Sequence, residues 1–173
     1  MKIRLYGTVN DSIVDGPGLR YTIFTQGCPH HCPGCHNPQS HDPNGGYLGD
    51  TDECLKEIDQ NPLLDGVTLS GGEPFLQPQP LIDLIQKLKQ RHLHIMIYSG
   101  YTFEEILKLG DEAYQLLSLC DTLVDGRFVL ALRSLELLYK GSSNQRIIDV
   151  QKSLKNHQVI EQKINEYGEF VEY

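Results

Sequence analysis

No stretch of this chain approaches the roughly 20 consecutive apolar residues that span a bilayer, which excludes a membrane-crossing helix. Positive charge is scarce as well: 15 Lys and Arg stand against 23 Asp and Glu, a net charge of -8. A surface of that sign is poorly suited to holding a nucleic-acid backbone by counterion release, so nucleic acid is not an expected partner. The first residues carry Lys2 and Arg4 but then alternate polar and apolar, without the apolar centre or small-residue cleavage site of a signal peptide. A cytoplasmic protein with no membrane partner is therefore expected. There is no internal repeat, interdomain linker or low-complexity segment. Cysteine is also limited, to five residues, an odd number that does not suit a disulfide framework. Three of the five, Cys28, Cys32 and Cys35, crowd together, and in a reducing compartment such a cluster suggests metal.

A length of 173 residues suits one domain covering the whole chain. Alternating or continuous apolar patterns predict strands over 2–9, 19–26, 66–70, 93–98, 121–125 and 145–150. Asp50 with Glu53 predicts a capped helix through Gln60, and Leu81, Leu84, Ile85 and Leu88 mark one face of a helix over 80–91. Thr102 with Glu105 caps a short helix through Leu109, and the Leu-rich segment 129–139 also reads as helical. Residues 157–173 form an acidic tail to which no regular structure is assigned. Strands alternating with helices predict an α/β fold whose parallel sheet is joined by crossover helices. Ligands of such sheets gather at the C-terminal strand ends, where the cysteine loop, the Gly71-Gly72-Glu73-Pro74 loop, and either Ser99-Gly100 or Asp125-Gly126-Arg127 are expected to face one site.

A Cys-x3-Cys-x2-Cys run offers three thiolates, whereas a cubane iron-sulfur cluster has four irons, so one iron is left open to a substrate. The alternative is a structural zinc site completed by His30, His31, His36 or His41. The x3-then-x2 spacing is unusual for a zinc knuckle, and no second Cys/His pair stands at finger distance. The paired glycines at 71 and 72 let backbone approach a ligand closely, and their carbonyls or the Glu73 carboxylate can accept from an ammonium group. Cys54 and Cys120 read as small core residues, and His92, His94, Met96 and Tyr98 as one strand face.

Cys28-x3-Cys32-x2-Cys35 after one strand and Ser70-Gly71-Gly72-Glu73-Pro74 after the next resemble the radical S-adenosylmethionine superfamily. The resemblance implies a 4Fe-4S cluster held by Cys28, Cys32 and Cys35. It implies S-adenosyl-L-methionine as the second cofactor, cleaved reductively to a 5'-deoxyadenosyl radical that takes a hydrogen from the substrate without a protein acid or base. Residues 15–20, 98–101, 123–128 and 141–146 together resemble, more narrowly, the activating proteins of anaerobic ribonucleoside-triphosphate reductases. That family's substrate is the large reductase subunit, on which a glycyl radical is formed, and its activity implies a low-potential electron donor such as flavodoxin. Many superfamily members carry an aromatic residue just before the third cysteine. This chain has Gly34, so the adenine is expected to be held by backbone or by His36.

Asp125 and Arg127 are candidates for the cofactor's methionine end, with Arg127 pairing its carboxylate. Against that stands a surface turn with a local ion pair. Asp15 and Arg20 read either as turn-stabilising residues or as contacts to the substrate peptide. A full eightfold barrel takes about 250 residues, so the expectation here is a partial (β/α) barrel of about six parallel strands. Its cluster loop would lie at the C-terminal end of the first barrel strand, and its open side would admit a protein substrate. Three rival readings remain: an activase of another glycyl radical enzyme, a small-molecule radical enzyme of the same superfamily, and a zinc-binding module without activity.

Overall fold

A computed structural model of the chain describes residues 1–171. In chain order the elements are β1 (Lys2–Ser12), β2 (Arg20–Thr25), β3 (Tyr47–Asp50), α1 (Thr51–Asp59), β4 (Gly66–Gly71), α2 (Pro78–Leu88) and β5 (His94–Tyr98). They continue with α3 (Phe103–Ile106), α4 (Asp111–Ser118), β6 (Thr122–Asp125), β7 (Arg146–Asp149), α5 (Val150–Asn156), β8 (Lys163–Ile164) and β9 (Phe170–Val171). Seven strands form one sheet in the order β3-β1-β2-β4-β5-β6-β7. Its centre, β2, β4, β5 and β6, is parallel. β1, β3 and β7 are antiparallel to their neighbours.

The fold is thus mixed α/β, but the expected count of about six parallel strands is corrected to four. β1 and β2 are joined by a short turn that permits only antiparallel pairing, and the longer β6-β7 connection forms no crossover helix and returns β7 antiparallel to β6. The predicted helix over 129–139 is also corrected: only one turn, Leu130–Leu132, is helical. No side chain caps it, and Leu135 is 95% exposed, so the leucines have no face to bury against. β3, α4 and α5 are elements that the sequence patterns did not mark.

Alternation along the strands divides the side chains between two faces. Tyr21, Ile23, Val67, Leu69, Ile95, Ile97 and Leu123 pack with the apolar stripes of α1, α2, α4 and α5 in the main core. α2 contributes Leu81, Leu84, Ile85 and Leu88, all buried, each stabilising the fold by about 1.5–3 kcal/mol. Cys54 and Cys120 are buried in the same core. On the other face, Met96, Val124 and Ile147 form a smaller cluster with Tyr98, Tyr139, Ile164 and Phe170, the last two from the β8-β9 hairpin. That hairpin occupies part of the acidic tail, whose final two residues lie outside the described ones. Among the described residues, no helix is long and apolar enough to cross a membrane.

The N-terminal end of this inner face holds a buried cation. Arg20 is 0% exposed and donates to Thr68 Oγ1 at 2.7 Å, to the Pro17, Val67 and His94 carbonyls at 2.9–3.1 Å, and to His94 Nδ1 at 3.0 Å. A guanidinium only donates, so His94 Nδ1 accepts and Nε2 carries the proton toward Thr122 Oγ1 at 3.1 Å. Burial pulls the Arg20 pKa down to about 10, still protonated at neutral pH.

Burial first, and the Arg20 charge second, push His94 from 6.5 to about 4. Between those values the unfolded chain binds the proton more readily than the folded one. The stability tied to His94 is therefore complete above pH 6.5 and is lost as the pH falls toward 4, by up to about 1.4 kcal/mol per pH unit. Urea unfolding across that window is expected to show a shallower acid limb for His94→Gln; an unchanged slope would remove His94 as its source.

Candidate cofactor site

β2 leads directly into the cysteine segment. Past the strand, the N–H groups of Gly27 and Cys28 donate to the Ser40 and His41 carbonyls at 2.6 and 3.1 Å, closing residues 27–41 into a loop. Within it, the Cys35 N–H donates to the Cys32 carbonyl at 3.1 Å, and the Asn37 N–H points at Cys35 Sγ at 3.4 Å. Cys28, Cys32 and Cys35 are free thiols, each half-buried, and all three line one cavity of about 390 Å³. Gly71, Gly72 and His36 line it too, and Asp15 reaches it from the β1-β2 turn. Burial raises the Cys28 pKa, while the backbone N–H groups of His30 and His31 pull it the other way.

Among the described residues, no three His, Cys, Asp or Glu side chains converge closely enough to hold a single metal ion. Each thiolate of a cubane binds a different iron, so the three sulfurs of such a site need not share one point. The cavity volume lies within the ~300–1,000 Å³ range of small-molecule sites. Three free thiols and glycine backbone around one cavity form a donor set compatible with a cluster and a small ligand beside it.

The glycine loop is fastened to the cysteine loop by its backbone. The Gly72 N–H donates to the Thr25 carbonyl, and the Glu73 N–H to the Gly27 carbonyl, both at 2.8 Å. A Cβ on Gly72 would come within 2.2 Å of the Gly27 carbonyl oxygen, so this approach requires glycine.

The remaining candidates divide. Glu73 and Pro74 are buried and are not among the residues lining the cavity, whereas Gly71 and Gly72 are. His36 is exposed at the rim with its ring tilted on Phe128 at 5.2 Å, and Gly34 is exposed beside Leu130. Asp125 is 1% exposed and accepts from the Phe103 N–H at 2.8 Å and from Arg146 Nη2 at 2.5 Å. Arg127 lies outside, 3.5 Å from Glu105. Neither Asp125 nor Arg127 lines the cavity; Asp125 serves the start of α3, and Arg127 forms the surface ion pair weighed as the alternative. Arg20 is committed to the inner face, while Asp15 accepts from Ser12 Oγ and from Thr22 Oγ1 at the cavity's far end.

Sequence reasoning passed over His30 except as a zinc ligand, and gave Ser99 and Tyr101 no individual role. His30 Nε2 donates to Glu73 Oε1 at 2.7 Å, Ser99 Oγ to the same oxygen at 2.8 Å, and the His30 ring meets the Tyr101 ring edge-on at 4.5 Å. A histidine between two cysteines with a glutamate in the next βα loop was the available signal.

Residues 14–148 match the sequence model of the family described as a 4Fe-4S single cluster domain. The chain is 35% identical over 147 residues to the anaerobic ribonucleoside-triphosphate reductase-activating protein of Salmonella typhi, covering 77% of this chain and 90% of that one. It is 37% identical over 143 residues to the protein of the same name from Escherichia coli (strain K12), with the same coverage of each. It is also 40% identical over 117 residues to the pyruvate formate-lyase-activating enzyme of Clostridium pasteurianum, covering 62% of this chain and 49% of that one.

Proposed function

Because the chain belongs to the family of anaerobic ribonucleoside-triphosphate reductase-activating proteins, we propose that it generates the glycyl radical of such a reductase, with S-adenosyl-L-methionine as cosubstrate. The observation that carries the reading is the shared cavity: three free thiols and the Gly71-Gly72 segment border it together. In this reading Cys28, Cys32 and Cys35 hold three irons of a 4Fe-4S cluster and leave the fourth free of protein ligands. Such a cluster, when bound, would supply one electron to the sulfonium of a ligand held beside its open iron.

What the chain itself contributes is binding and exclusion. Gly71 and Gly72 carry no side chain between their carbonyls and a ligand, so those carbonyls accept from its ammonium group. His36, resting on Phe128, flanks the adenine where Gly34 leaves no ring. Exclusion of water from the reacting atoms is the protein's main task in radical chemistry, and with the thiols half-buried it falls to the bound ligand and the protein substrate to complete it. The protein substrate is the large reductase subunit, and a low-potential donor such as flavodoxin supplies the electron in the cytoplasm.

The test is electron paramagnetic resonance of the anaerobically reconstituted, reduced protein mixed with the reductase subunit and S-adenosyl-L-methionine. A glycyl doublet that requires both additions supports the reading. Deoxyadenosine without the doublet would retain the radical chemistry and reject this partner. Absence of both, with cluster and reduction verified, would reject the reading.

A further inference from the structure

We propose that Glu73 is the socket for His30, and that His30 is a positioning residue fixing the backbone between two cluster cysteines. The inference rests on the reading of Cys28 and Cys32 as cluster ligands. Glu73 Oε1 takes three donors: His30 Nε2 at 2.7 Å, Ser99 Oγ at 2.8 Å and the Gly100 N–H at 2.8 Å. Oε2 takes the Phe75 N–H at 3.0 Å. A carboxylate oxygen offers about two lone-pair directions, so Oε1 has no capacity left for a ligand's ammonium group. The His30 and Glu73 side chains are 4% and 0% exposed, so neither partner has water as an alternative.

The fit around the ring is equally specific. A Cβ on Gly100 would stand 2.3 Å from His30 Cδ2, and the Tyr101 ring meets the imidazole edge-on. The loop after β4 thus supplies the acceptor, and the loop after β5 the slot. His30 lies two residues from Cys28 and two from Cys32, so seating its ring sets the chain that carries both thiols. The ammonium group of a ligand is left to the backbone of Gly71 and Gly72, residues that do border the cavity.

Site-resolved alkylation of the metal-free protein by iodoacetamide tests this without any cofactor or partner, and the buried Cys54 and Cys120 report global unfolding in the same samples. A buried charge-assisted hydrogen bond holds a segment closed by roughly ten- to a hundredfold, so His30→Ala is expected to speed labelling of Cys28 and Cys32 by at least about tenfold. Cys54 and Cys120 stay protected. His30→Gln keeps an N–H donor and is expected to restore most of the protection, while Glu73→Gln, which keeps a carbonyl acceptor for His30 but loses the charge and the acceptor for the Phe75 N–H, is expected to fall between wild type and His30→Ala. After anaerobic reconstitution, His30→Ala and Glu73→Gln retain less iron and sulfide per chain than wild type, and the double variant is no worse than the poorer single one.

Unchanged labelling of Cys28 and Cys32 in His30→Ala, or labelling that rises only together with Cys54 and Cys120, would overturn the proposal. So would a Glu73→Gln variant that keeps native labelling and full cluster but loses affinity for S-adenosyl-L-methionine. A wild-type protein that assembles no cluster counts against the proposed function alone, because the labelling result stands without it.

Discussion

Cys32→Ser is expected to leave the fold in place and abolish both cluster retention and reductase activation. The two side chains are nearly isosteric, and the Cys32 thiol is half-buried in an irregular loop, so stability should change by no more than about 0.5 kcal/mol. A hydroxyl, however, does not ionise near neutral pH and is a harder, weaker ligand for iron than a thiolate. Loss of an outer-shell partner of a metal site already costs about 10–100-fold, so loss of a ligand is expected to reduce activation by more than about 100-fold. Iron and sulfide analysis after anaerobic gel filtration, followed by glycyl-radical quantitation on the partner, measures the two effects separately. A Ser variant that still raises the full radical yield would refute the cluster assignment.

Asp125→Asn is expected to produce the largest loss of stability of any single change near the site. Asp125 accepts from Arg146 through both oxygens, Nε to Oδ1 at 3.1 Å and Nη2 to Oδ2 at 2.5 Å, and holds the first free N–H of α3. Hydrogen bonding to Asp125 and then to Glu104 raises the Arg146 pKa above its ordinary value. Asparagine removes the charge and turns an N–H toward a guanidinium or toward the Phe103 N–H. Breaking a buried pair costs about 3–5 kcal/mol. Because Arg146 is 31% exposed and keeps Glu104, the lower end, about 3 kcal/mol, is the expectation. Urea unfolding should show a lowered midpoint at constant slope. A loss below about 1 kcal/mol would mean that the pair contributes little to the fold.

The parallel centre of the sheet was readable because each of its strands buries an apolar set and ends in a glycine-containing loop. The capping box at Thr102 and Glu105 forms with both of its bonds, and Asp50 caps α1, although its partner is the Asp52 N–H and not a reciprocal Glu53. α4 escaped notice because its first turn follows Gly110, which offers no side-chain cap. α5 spans only seven residues and starts directly from a strand, too short for a helical period to register. The leucines of 129–139 misled because periodicity implies a helix only where a partner face exists to bury it. In the site, spacing located the thiols and glycines but not the direction of Glu73, since a carboxylate facing a cavity and one turned beneath the loop share the same sequence. The burial of Asp125 was hidden for a similar reason: its partner Arg146 lies 21 residues away, across a strand pair.

The unequal cover on the two sides of the sheet has a dynamic consequence. Among the described residues, the helical side is held by a core of over two dozen buried apolar residues, and the other by the smaller buried set Met96, Val124 and Ile147 with partly buried neighbours, including Ile164 and Phe170 of the β8-β9 hairpin. Opening free energies follow the apolar surface each unit buries, so the hairpin can lift without melting the helices. Tyr139 joins the two regions: its hydroxyl donates to the Gly168 carbonyl at 2.7 Å while its side chain borders the cavity. Amide hydrogen exchange should therefore resolve a fast unit comprising the hairpin and the Tyr139 segment, with β4 and β5 exchanging only on global unfolding. Uniform protection across both would show that the chain opens as one body. In the two-unit case, breathing of the last hairpin admits solvent to the wall of the cavity while the scaffold carrying the thiols stays intact.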